Sequence, residues 1–121
     1  MSYRADLRRA EKFYKTLMSA QSSHLNDAWV VFNNIGFKHL IRKAKVRTRK
    51  EQMKRFALLY EAPEVLRDPN AAVVSYRIDE SKDIPVQYWA IQREKNGAKI
   101  KVIVRQVGNG KKHFYSVMDV P

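Results

Sequence analysis

Hydrophobic positions along this chain change period once, near residue 70, and the change separates a helical half from a β half. Leu7, Ala10, Tyr14, Leu17 and Met18 recur at helical spacing, with Phe13 beside them and Arg8, Arg9, Lys12 and Lys15 outside, which predicts a first amphipathic helix. The polar run AQSSHLND (20–27) breaks it, Asn26 and Asp27 being turn formers. Ala28 to Phe32 is a short β-prone run expected to line the core, and Asn33 and Asn34 are expected to cap the next helix. Phe37, Leu40, Ile41 and Ala44 stand at i, i+3, i+4 and i+7, so a second helix is predicted through FKHLIRKAK (37–45). Met53, Phe56, Ala57 and Tyr60 repeat that spacing on a third helix, which Thr48 and Glu51 open as a T-x-x-E capping box after a break near Val46 and Arg47. Pro63 ends this helix and is suited to open one more turn through Val65 and Leu66, and Asp68, Pro69 and Asn70 make a strong turn.

Beyond that turn four β-prone runs follow, AAVVSYRI (71–78), PVQYWAIQ (85–92), KIKVIVRQV (99–107) and HFYSVMDV (113–120). The connections DESKDI, REKNGA with its Asn96-Gly97 pair, and GNGKK are each short enough for a hairpin, so an antiparallel meander is expected. The pattern as a whole predicts a single α+β domain over residues 1–121, mainly helical over 1–66. A four- or five-stranded antiparallel sheet spans 71–120, with the helices on one face. A chain of this length buries about two-thirds of the surface that its unfolded form exposes.

Charge changes the picture more than composition does. The formal net charge is +12, and it is polarised, with 14 basic against 4 acidic side chains over residues 1–60 and 10 against 8 over 61–121. Between Lys38 and Arg55 alone there are nine Lys or Arg and one acid, Glu51. A surplus of that density on amphipathic helices calls for an anionic partner, and nucleic-acid phosphate is the leading candidate. Lys38, Arg42 and Lys45 share one flank of helix two, and the surplus continues through Arg47, Arg49, Lys50, Lys54 and Arg55. The plain alternative is a solvated face.

The chain has no cysteine, which excludes disulfides, thiolate metal sites and a cysteine nucleophile. His24, His39 and His113 stand at no recognised metal spacing, and the acids form neither an EF-hand nor a carboxylate pair, so neither metal nor cofactor is implied. The opening MSYRADLRRAEKFY lacks the apolar run of a signal peptide and no stretch is long and apolar enough to span a bilayer; a soluble protein acting in the cytoplasm is expected.

Among candidate chemical groups, His39 lies beside the basic flank of helix two, exposed and suited to general-base work near neutral pH. His113, in GNGKKHFYS, has Lys112, Tyr115 and Ser116 as neighbours, groups able to contact phosphate or to protonate a leaving oxygen. Its plain alternative is one face of an edge strand. Arg105 interrupts the apolar run KVIVRQV. Strand alternation sets it with Lys101 and Ile103, opposite a core row of Ile100, Val102 and Val104, so it points into an open cleft or into solvent. Tyr76, Tyr88, Trp89 and Tyr115 are suited to stack on bases or to fill the core.

With these elements in view, the stretch from about Ile35 to Ser116 resembles the barnase, EndoU, colicin and RelE-like superfamily of small metal-independent ribonucleases, more narrowly its phage-associated and polymorphic-toxin branch. The matching pieces are FKHLIRKAK, the helix ending LLYEAPEVLRDP, the Tyr-bearing strand VVSYRI and the terminal hairpin IKVIVRQVGNGKKHFYSVM. The resemblance implies Lys38, His39 and Arg42 from the first motif and Arg105 and Ser116 from the last two strands as site residues; where members often carry a further His, this chain has Lys45. It also implies cofactor-free cleavage of RNA, such as tRNA or mRNA, by 2′-hydroxyl attack, leaving a cyclic phosphate. In that scheme His39 is the base, His113 or Tyr115 the acid, and Arg42 with Arg105 the clamps. A toxin of this kind is expected to have an acidic immunity or antitoxin protein as partner. A non-catalytic RNA- or DNA-binding module is the competing expectation, since it uses the same basic helices and needs no proton acceptor.

Overall fold

A computed structural model describes residues 3–42 and 48–120; Lys45, Arg47, the helix break expected at Val46 and Arg47, and the side chain of Arg42 lie outside the described residues. Helix α1 covers Tyr3–Thr16 and buries Ala10 and Tyr14. Its stripe stops sooner than the spacing suggests. The Leu17 amide already bonds to the Tyr14 carbonyl at 3.0 Å outside the helix, and Met18 is 82% exposed.

The polar run after α1 does more than break a helix. It contains strand β1 (Ser19–Ser22) and a single 3-10 turn (Ser23–Leu25), because Ala20, Ser22 and Leu25 turn inward between polar neighbours. Asn26 and Asp27, at φ 56° and 60°, then reverse the chain into β2 (Ala28–Val31).

Helix α2 (Asn34–Arg42) starts where Asn33 Oδ1 accepts from the amides of Ile35 and Gly36, at 3.1 and 3.4 Å. Helix α3 (Arg49–Leu59) begins with Thr48 Oγ1 accepting from the Glu51 amide at 3.1 Å, the cap expected from T-x-x-E. The buried face of α3 differs from the expected one. Gln52, Phe56 and Leu59 face inward, whereas Ala57 and Tyr60 are exposed and Met53 is half-buried. The rotation follows from a polar residue that the apolar count passes over: the Gln52 amide group, buried, donates to the Leu40 carbonyl at 2.7 Å and ties α3 to α2. Pro63 belongs to the first turn of a separate short helix α4 (Ala62–Arg67).

Strands β3 (Ala72–Asp79), β4 (Val86–Lys95), β5 (Ala98–Val107) and β6 (His113–Val120) form the expected meander, with Asn96 and Gly97 at positive φ in the β4–β5 turn. The sheet is nonetheless larger and of mixed sense. Six strands lie in the order β1-β2-β6-β5-β4-β3, and β2 runs parallel to β6 at Val31↔His113. The expectation of four or five antiparallel strands is corrected on both points. Three helices and three strands of the described chain separate β2 from β6, which is the long crossover that parallel pairing requires. Flanked by β5 and β2, β6 is interior, so His113 does not lie on an edge strand. One face of the sheet, with Ile91, Val102, Val104, Phe114 and Val117, packs into a core that includes Leu40, Phe56, Leu59, Val65 and Leu66.

Candidate active site

Strand register builds the other face. Arg77 pairs with Tyr88, Tyr88 with Arg105, and Arg105 with His113, so one row across four strands reads guanidinium, phenol, guanidinium, imidazole. Ser75, Ala90, Ile103 and Ser116 form the next row. The Arg77 guanidinium lies 4.0 Å from the Tyr88 ring centre, and that of Arg105 lies 5.0 Å from the Tyr115 ring centre.

A bulge in β6 decides where Tyr115 goes. Ile103 pairs with Ser116 while Val104 pairs with Phe114, leaving Tyr115 without a partner across the ladder. The extra residue lets Phe114 stay in the core while both Tyr115 and Ser116 line the cleft, which strict alternation forbids.

Two helices supply the remaining wall. A Cβ on Gly36 would stand 2.2 Å from the Phe114 carbonyl oxygen and 2.8 Å from the Tyr14 hydroxyl, so only glycine lets α2 approach β6 this closely. One turn further on, His39 stacks on Tyr115 with ring centres 3.9 Å apart and planes 22° apart. From α3, Arg55 Nη1 donates to Ser116 Oγ and to the Val117 carbonyl, both at 3.3 Å. Burial lowers the proton affinity of this guanidinium while Glu51 and Asp119 raise it; as an arginine it keeps its charge throughout.

The resulting cleft has a volume of about 320 Å³, and among the described residues that line it none is acidic. His39, Arg55, Arg77, Tyr88, Tyr115 and Ser116 line it. Imidazole, phenol, hydroxyl and guanidinium together can accept a proton, donate one and neutralise an anion. Among the described residues no group of three or more His, Asp and Glu is placed to hold a metal ion.

Of the residues singled out in the sequence, His39, Tyr88, Trp89, Tyr115 and Ser116 come together in the cleft, with Arg105 against the Tyr115 ring. Arg105 Nε is shielded and has no hydrogen-bond partner. His113 sits behind them, 3% exposed, its ring 6.5 Å from that of Tyr115 and its Nε2 without a partner. Burial pushes its pKa down, the Arg105 charge pushes it the same way, and a hydrogen bond with the Lys111 backbone opposes them. The basic residues divide. Lys38, Arg49 and Lys50 are exposed on α2 and the first turn of α3. Lys54 is ion-paired with Asp119 at 2.5 Å, and Lys112 places its ammonium 5.1 Å from the Trp89 ring centre.

Sequence reasoning counted Arg55 only as part of the charge surplus and passed over Arg77. A signal was present for Arg77, the one cation of its strand, which follows Tyr76, but its alignment with Tyr88 depends on register. Comparison with protein-family models, with curated proteins and with solved structures finds no match to this chain.

Proposed function

We propose that this protein is a metal-independent endoribonuclease that cleaves RNA by attack of the ribose 2′-hydroxyl on the neighbouring phosphorus. The observation that carries the reading is the stacking of His39 on Tyr115 inside a cleft lined by Arg55 and Arg77 and by no acid among the described residues, with Arg105 against the Tyr115 ring. In this scheme His39 takes the 2′-hydroxyl proton, the 2′-oxygen bonds to phosphorus, and the P–O5′ bond breaks. The Tyr115 hydroxyl protonates the departing 5′-oxygen. It fills that role better than His113, which solvent does not reach. The guanidinium groups hold the non-bridging oxygens as charge builds on them, each well-placed donor of this kind contributing about 3 kcal/mol to the transition state. The exposed cations Lys38, Arg49 and Lys50 carry the flanking RNA backbone. A toxin-type enzyme acting on cytoplasmic tRNA or mRNA, held in check by an acidic immunity or antitoxin protein, is the biological setting that fits this chemistry.

Incubation of the purified protein with total RNA in EDTA tests the reading. Cleavage products with cyclic 2′,3′-phosphate ends are expected, with DNA and 2′-O-methyl RNA left intact. His39→Ala, Arg105→Ala and Tyr115→Phe should each slow cleavage at least tenfold, about 1.4 kcal/mol of barrier or more, with RNA affinity little changed. A protein that binds RNA without cutting it is a binding module instead, and undiminished cleavage in all three variants removes the assigned roles.

A further inference from the structure

Strand β3 is the free edge of the sheet beyond β4, and it is unlike the rest of the molecule. Every residue from Ala72 to Ile78 is exposed, including Val74 and Tyr76 at 51% and Ile78 at 44%. Ile84, in the loop that follows, is also exposed. An eight-residue edge of this kind offers a row of unpaired amides and carbonyls to any strand laid beside it. Edges that stay single are usually blunted by lysine, proline or a bulge; β3 contains neither lysine nor proline, and its one irregularity, between Val73 and Ser75, leaves Ser75 to Asp79 in regular register with β4. Its one cation, Arg77, is turned onto the Tyr88 ring on the cleft face.

Charge identifies the occupant. The chain carries +12 overall, yet β3 holds one Arg and one Asp, and the loop to β4 adds Glu80 and Asp83 against Lys82. An acidic partner or a nucleic acid therefore finds no cationic foothold on this edge, whereas a second copy brings a strand that is itself neutral, so the basic charge of the two copies is kept away from the contact. We infer that β3 pairs antiparallel with β3 of a second copy, forming a two-fold dimer with one continuous twelve-stranded sheet. The local two-fold of an antiparallel ladder stands normal to the sheet. Both clefts then open on the same side, with Ser75 and Arg77 of each copy at the shared border.

Light scattering on the purified chain, followed over protein and salt concentration, tests this. The expected mass is twice the 14.2 kDa of the chain. The dimer should tighten as salt is raised, because screening weakens the repulsion between two strongly basic bodies while the strand contact is apolar and backbone-mediated. Tyr76→Lys with Ile78→Lys should return the protein to a monomer that keeps the circular dichroism of the folded parent, and its thermal midpoint should lose the dependence on protein concentration that dimerisation gives the parent. Val74→Lys provides a second variant at an independent position. A parent that is monomeric at every concentration and salt overturns the inference, and so does a dimer that survives both sets of substitutions.

Discussion

At the scale of single residues, His113 makes a measurable statement about pH. Its pKa is depressed in the fold, so the unfolded chain takes up a proton near pH 6.5 before the folded one does, and stability falls as pH is lowered through that region. Every tenfold weakening of proton affinity in the fold corresponds to about 1.4 kcal/mol. Urea unfolding at pH 7.5 and at pH 5.5 should show the parent losing stability on acidification and His113→Gln losing less; equal losses would mean that the buried ring is not the group responsible. The sequence identified His113 as a residue of interest, and its neighbours too, but not its burial. That comes from β2, a four-residue strand one of whose two partners, β6, lies at the other end of the described chain. The role of Arg77 was hidden for a similar reason. Its importance lies in standing opposite Tyr88, and register is not written in either strand alone.

At the scale of elements, two substitutions separate stability from placement. Thr48→Ala removes the cap of α3 and should cost about 1 kcal/mol with little effect on the cleft, since Gln52 still anchors the helix to α2. Gly36→Ala forces α2 away from β6 and should cost about 1–3 kcal/mol as overpacking does. It should also carry His39 off the Tyr115 ring. Denaturant midpoints and cleavage rates measured on both variants give the contrast: the first lowers stability alone, the second lowers both. If Gly36→Ala is as active as Thr48→Ala, the close approach of α2 is not what positions His39. Capping and turn chemistry were legible here because they are local, as Thr48 and Asn96-Gly97 show. The inward face of α3 was not, since a buried glutamine set its rotation. Nor was the bulge that brings Tyr115 beside Ser116, an extra residue visible only against the partner strand.

At the scale of the whole molecule, polarised charge governs encounter. RNA affinity should fall steeply with salt, and Lys38→Glu with Lys50→Glu should flatten the dependence by about 0.7 for each phosphate of a single strand that is no longer neutralised, as read by a titration at several salt concentrations. A slope unchanged in the double variant would move the backbone track away from α2 and α3. The α+β class was readable because the hydrophobic period changes near residue 70, whereas the closing of the sheet by β2 was not, because one long-range parallel bridge leaves no mark in local pattern. That bridge also sets a schedule. Hairpins among β3, β4, β5 and β6 can form as neighbours, but β6 meets β2 only after the intervening helices and strands exist, a late and non-local step. On a translating ribosome, an emerging chain that has not yet delivered β6 has His39 and Arg55 but neither Tyr115 nor Ser116 to set against them. Under the proposed activity, an unfinished chain is thereby kept from cutting the message that encodes it until its last strand is made.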